Sequence, residues 1–217
     1  PGRAQWVVLL CGSVVFYAFA GVTCCIFLLA VIAVSYLTVA VMGKRQRACA
    51  AWLDANKELP KEQRKAYKNK SKKGNLAVVC VGIAILAAAL IYAKFISGYF
   101  GFKVDASGFH LGKYALEIMG ISYYTFIAIG YMLDVYREKA PVQRNFAKHA
   151  LFVGFFPQLV MGPISKYSDV GEQYFTPHAF AGKNLYCGAV RIAWGFFKKL
   201  VVADAIAPAV GAIVAQQ

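Results

Sequence analysis

The chain has 217 residues, of which 59% are hydrophobic and only 16% charged, and it carries a formal net charge of +14. Soluble domains carry about 25% charged residues, so this composition, with its long uncharged runs, excludes an ordinary soluble domain and points to an integral membrane protein. The positive charge does not read as a nucleic-acid footprint: eleven Lys/Arg against three acids fall within residues 44–73, with Trp52 and Tyr67 as the only aromatics among them.

Residues 4–43 contain no charged side chain. Forty residues at 1.5 Å each give about 60 Å of helix, enough for two crossings of a roughly 30 Å hydrocarbon core. The stretch Ala20-Gly21-Val22-Thr23 is the expected hairpin, with Gly21 releasing the first helix and Thr23 capping the second. The basic segment 44–73 then reads as a cytoplasmic loop under the positive-inside rule. A short helix is expected within it, begun at Pro60. Its Ala48–Leu53 stretch either lies flat on the inner membrane face with Trp52 at headgroup depth or belongs to a solvated loop.

A third span is expected over about 75–97, with Lys94 snorkelling from its outer end, followed by a Gly-rich external loop. A fourth, over about 114–135, returns to the inside, where Arg137, Lys139, Arg144 and Lys148 again mark the cytoplasm. The segment 149–165 is too short and too broken to cross as one helix. Pro157 and the Gly162-Pro163 step free backbone groups that lipid cannot satisfy. Two readings follow: a re-entrant element enclosed by protein or lining a wet cavity, with Gln158 hydrogen-bonding there, or an interfacial loop skirting the headgroups. Helices over about 184–217 complete the chain. Within them Arg191 and Lys198, seven residues apart, share a face in an apolar setting. An intramembrane arginine is a candidate functional residue, and a helix lying shallow with its cations snorkelling is the alternative. The fold class expected is all-α, a polytopic transmembrane bundle with broken or re-entrant helices.

The six cysteines show no CxxC spacing and lie mostly in apolar runs, so neither a disulfide framework nor a metal site is expected. The chain begins at Pro1 and ends in the apolar run "APAVGAIVAQQ", and the expectation is a piece of a longer protein.

Three stretches carry a resemblance: "GISYYTFIAIGYMLDVYR" (120–137), "FFPQLVMGPISKY" (155–167) and "GFFKKLVVADAIA" (195–207). In order and spacing they resemble the membrane-bound O-acyltransferase family, in the bacterial branch that includes the membrane subunit of alginate O-acetyltransferase. The D-alanyl transfer protein of teichoic acid synthesis is a more distant likeness. The family's Asn-Tyr of the second span stands here as Ser35-Tyr36. The resemblance implies an inner-membrane, multi-pass enzyme that takes an acyl group, here acetyl, from a cytoplasmic thioester donor (acetyl-CoA or an acyl carrier protein). It passes the group toward a hydroxyl of an extracytoplasmic polysaccharide, by way of an extracytoplasmic acetyltransferase partner. No bound cofactor and no metal are implied.

The family's catalytic histidine follows a Trp-Arg-Arg-Trp-His type motif that is expected downstream of residue 217, so the role is carried to none of His110, His149 and His178. Candidate residues along the acyl path are Ser122, Gln158, Gly162 and Pro163. Arg191 and Lys198 are placed near its polar mouth with Lys199 as a further candidate, and Lys166 and Tyr167 are either positioning residues at an interface or a purely structural membrane anchor. Competing classes are D-alanyl transfer, a transporter or channel, for which no internal repeat is visible, and a non-enzymatic membrane adaptor.

Overall fold

The computed structural model describes residues 4–93, 120–159, 162, 164–177, 181–206 and 208. Among them there is no strand, and the architecture is all helical. The chain divides into two compact units, one running to Pro177 and one from His178 onward.

In the first unit, α1 (Gln5–Ala20) ends at Gly21, whose φ of 110° only glycine adopts without strain. The second helix, α2 (Val22–Ala55), restarts one residue later. Thr23 therefore stands inside that helix and not at its cap, contrary to expectation. α3 covers Lys61–Ile91, and α4 covers Ile121–Tyr136, entered through Gly120 in the left-handed region at φ 74°. Among the described residues, α2 and α3 are the two helices long and apolar enough to cross a membrane, and α1 is a shorter apolar helix. Lys94, the span ends at 94–97 and 114–119, and the external loop with His110 lie outside the described residues.

The segment expected as a basic loop is instead a helical hairpin. α2 continues to Ala55, the chain turns through 56–60, and α3 starts at Lys61 behind Pro60. The reason is local: residues 44–55 hold no glycine or proline to stop α2. Trp52 does not lie alone on a membrane face. It stacks on Tyr67 of α3 at 4.0 Å between ring centroids, tying the two arms together.

The core of the unit is the packing of α2, α3 and α4 on one another. Val39 and Met42 of α2, Val79 and Leu86 of α3, and Tyr124, Ile127, Ala128 and Met132 of α4 are all buried there. Their outward faces are apolar too: Ile26, Leu29, Leu37, Val81, Ile85 and Ile91 are exposed. A helix apolar all round belongs in lipid, where no water penalises those faces. With no hydrophobic force between helices in that solvent, close contact depends on small residues. Gly82 of α3 supplies one, since a Cβ there would meet Thr38 Oγ1 at 2.7 Å and Cγ2 at 2.9 Å. Gly82→Val should force the pair apart and destabilise the protein by about 1–3 kcal/mol. The check is the thermal unfolding midpoint of purified full-length protein, and an unshifted midpoint would mean that α2 and α3 do not approach this closely.

Among the described residues, three shorter helices follow in this unit, α5 (Phe146–Val153), α6 (Phe156–Leu159) and α7 (Tyr167–Phe175). The second unit contains α8 (Gly182–Phe197), followed by a π-helical stretch Lys198–Ala203.

Candidate functional site

The segment between α4 and α7 contains no Lys, Arg, Asp or Glu from 149 to 165, and two breaks interrupt its helical character. Its path is fixed by named contacts. Asn145 caps α5, its Oδ1 accepting from the N–H groups of Ala147 (2.9 Å) and Lys148 (3.3 Å). Beside this entry the Tyr36 hydroxyl of α2 donates to Arg144 O at 2.7 Å, and the Tyr36 ring meets Phe146 edge-on at 5.3 Å. Lys148 sits over the Trp6 ring at the start of α1, 5.9 Å from its centroid.

From there the segment moves along both helices of the α1–α2 hairpin, away from the start of α1 and the charged half of α2. Gly154 has Leu28 and Ile32 of α2 as neighbours. Phe156 meets Phe16 of α1 at 5.3 Å, and its N–H donates to Ser13 Oγ at 3.4 Å. Ser13 and Phe16 lie seven and ten residues past Trp6, about 10–15 Å further along α1. The chain then returns: Tyr167 packs on Tyr131 of α4 at 4.8 Å, and the Phe175 ring reaches Lys148 again at 4.8 Å. Entry and exit are on one side, and the deepest point is at Gly154–Phe156, between α1 and α4. The segment thus doubles back along the bundle, with Phe155 and Phe156 half-buried while Pro157 and Ile164 are exposed.

Gln158 holds the return together. Its Nε2 donates to Ser165 Oγ at 3.0 Å and to Tyr174 OH at 2.7 Å, and its backbone carbonyl accepts from Gly162 N–H at 3.0 Å. Both amide protons are thereby used, joining α6, the segment around Ser165 and α7. Its Oε1 is buried without a partner among the described residues, an acceptor left for a guest. Gly162 closes the turn so tightly that a Cβ would lie 2.5 Å from Gln158 Cα. Pro163 lies outside the described residues.

The other candidates separate. Ser122 is half-buried in the first turn of α4, nine residues (about 13 Å) from Tyr131, and so at the far end from Tyr167. Lys166 is exposed. Tyr167 is not at an interface as expected but buried, 4% exposed. It sits in an aromatic cluster with Tyr131 and Phe152, and its hydroxyl accepts from Gln143 Nε2 at 3.1 Å. Burying the ring against two others outweighs the pull of its one polar atom, which Gln143 satisfies.

In the second unit, Lys198 lies over Trp194, 5.5 Å from its ring centroid. Lys199 is paired with Asp204. The π turn explains the second pairing: the Asp204 N–H donates to Lys199 O, five residues back, which brings side chains at i and i+5 alongside. Sequence reasoning on a straight α-helix did not anticipate Asp204 as this partner. Arg191 lies within α8.

His149, expected at an inner span edge, is fully buried on α5. Its Nε2 is 2.8 Å from Ser35 Oγ of α2, and its ring packs on Tyr36 (5.7 Å) and Tyr131 (5.4 Å). The Ser35 hydroxyl also donates to Ile32 O at 3.0 Å. One hydroxyl carries one proton, so with that proton on Ile32 O the imidazole must donate from Nε2. The Nδ1 atom is then a lone-pair acceptor with no partner among the described residues. The Ser35-Tyr36 pair was the available signal: both side chains hold this one segment, Ser35 at His149 and Tyr36 at Arg144. His178 lies outside the described residues. No group of three His, Cys, Asp or Glu suited to a metal occurs among the described residues.

No family model matches the chain, and no solved structure matches it. Curated relatives do. The chain is 28% identical to the probable alginate O-acetylase AlgI of Azotobacter vinelandii over 220 aligned positions, 96% of this chain and 38% of that protein. It is 29% identical to the protein of the same name from Pseudomonas aeruginosa, over 94% of this chain and 36% of that one. A peptidoglycan O-acetyltransferase of Helicobacter pylori is 31% identical over 40% of this chain and 21% of its own length. The chain thus spans little more than a third of the alginate proteins. Along nearly all of its own length it is similar to two proteins named probable alginate O-acetylase, in keeping with the resemblance its three motifs carry.

Proposed function

We propose that this chain forms part of a membrane-embedded enzyme that moves acetyl groups from a cytoplasmic thioester toward hydroxyls of an extracytoplasmic cell-surface polysaccharide, through an extracytoplasmic partner protein. The observation that carries this reading is the likeness to two alginate O-acetylases over 96% and 94% of the chain. In the reaction the thioester C–S bond breaks, an ester C–O bond forms, and the hydroxyl proton passes to a base, which the family resemblance assigns to a histidine outside residues 1–217.

The chain's own contribution is positional. The re-entrant segment places polar groups, above all the Gln158 amide, at a depth where lipid would exclude them, and so provides one wall of a path for the acyl group. With both amide protons committed within the protein, Gln158 acts by fixing that wall, and a fixed wall holds the reacting groups in register. The inner membrane is the proposed location, with the basic hairpin 44–73 on the cytoplasmic side.

The test is made in the organism that carries the gene. Deleting it is expected to remove ester-linked acetate from isolated surface polysaccharide, measured by proton NMR after mild alkaline release, and the full-length gene should restore it. Loss of ester-linked alanine with acetate intact would replace the reading by D-alanyl transfer, and no change in either ester would overturn it.

A further inference from the structure

At the charged end of the first unit, α2, α3 and the end of α4 enclose a pocket of about 390 Å³, within the range of small-ligand sites. Its wall carries Lys68 and Lys72, one turn apart on α3, and Arg137 at the end of α4, against a single carboxylate, Glu138. None of the three cations is in an ion pair among the described residues, where the pairs are Lys57–Asp54 and Lys199–Asp204. Neutral donors stand between them: the Ser71 hydroxyl and the Asn75 amide. Asn75 is buried, and its Oδ1 accepts from Arg45 Nε at 3.1 Å, so its amide nitrogen rather than its oxygen remains for a guest. Arg45 reaches Asn75 only because Gly74 has no side chain, a Cβ there colliding with the guanidinium. A fourth cation thus stands beside the floor.

Three unpaired cations around one concavity raise the local positive potential and concentrate anions. The level of the pocket narrows the choice of anion. Asn75 begins the uncharged run of α3, while Lys72 and Lys68 lie one and two turns outside it, about 5 and 10 Å further from the hydrocarbon. The headgroup layer is about 5–7 Å thick on each side, so the floor is at phosphate depth and the rim opens to the cytoplasm.

We propose that this pocket binds a phosphate-bearing anion, with Lys68, Lys72 and Arg137 as its charged ligands and Ser71 and Asn75 as neutral donors. Arg137 offers a planar fork to two oxygens, and the lysines act as point charges. The phosphate comes either from an anionic lipid headgroup or from a soluble phosphorylated molecule, and one experiment separates them. The proposal stands apart from the acetyl-transfer reading, because it rests on the pocket alone.

Cys49 lines the same pocket and is itself buried, so its labelling reports on access through the pocket. The full-length protein is placed in phosphatidylcholine nanodiscs, labelled with a small maleimide, and Cys49 is followed by mass spectrometry with the remaining cysteines as internal references. Inorganic pyrophosphate is added in one arm, and phosphatidylglycerol is included in the lipid in the other. Slowing of Cys49 labelling by about fivefold or more in either arm, weakened by salt, is expected and identifies the source. The side chains of Lys68, Lys72 and Arg137 are all exposed, so K68Q/K72Q/R137Q should fold normally and lose the protection. Unslowed labelling in both arms, or protection that survives the triple substitution, would overturn the proposal.

Discussion

Gln158→Leu in the full-length protein is expected to lower acetyl transfer to polysaccharide by roughly a hundredfold, the scale on which a misplacement of about 1 Å acts. The side chain is nearly conserved in volume, so the effect comes from the lost amide. Both of its protons are committed, to Ser165 Oγ and Tyr174 OH. Leucine supplies neither, and the half-buried Tyr174 hydroxyl loses its short donor at an expense of about 1 kcal/mol. The Phe155–Tyr174 ring contact at 4.8 Å then remains between the start of the segment and α7. The bend itself persists, because Gly162 N–H bonds to the backbone carbonyl of residue 158 and not to its side chain. Expression and membrane insertion should therefore remain near wild type while ester acetate falls. Polysaccharide acetate equal to wild type, in cells with matched protein levels, would remove Gln158 from any role in the path.

The helical class, the early apolar spans and the irregularity of 149–165 were legible in the sequence because each follows from one local rule: long uncharged runs, or proline and glycine in an apolar segment. What escaped the sequence depended on distant partners. The 44–73 segment looked like a loop by charge, yet charge does not end a helix. Gln46 of α2 donates to Val135 O of α4 at 3.1 Å, and Trp52 stacks on Tyr67, so contacts across 89 and 15 residues support the hairpin. Tyr167, next to an exposed lysine, read as interfacial, but rings from α4 and α5 pack around it. The Lys199–Asp204 pair needs a π turn that no residue pattern announced. His149 follows a lysine and begins an apolar run, which is equally a span edge and a core position. Only Ser35, 114 residues away, decides between them.

That pairing leads to the second large effect. His149→Ala is expected to destabilise the protein by about 2–5 kcal/mol, as for other large-to-small changes in a packed interior. The imidazole is fully enclosed by Ser35, Tyr36 and Tyr131, and α5 has only eight residues with which to hold its place. His149→Leu behaves differently. It refills most of the volume and removes the unpartnered Nδ1, while the Ser35 hydroxyl keeps its donation to Ile32 O. Its loss should stay below about 1.5 kcal/mol. The double substitution S35A/H149L, which takes away both polar partners together, is expected to be neutral or stabilising, since an apolar pair in that position carries no desolvated donor or acceptor. Chemical unfolding of the purified full-length protein in detergent gives the three values. Alanine and leucine variants of equal stability would show that the site is not packed as described. A leucine variant that is stable but inactive would reveal a use for the Nδ1 lone pair, because packing alone cannot distinguish a folded leucine from a folded histidine.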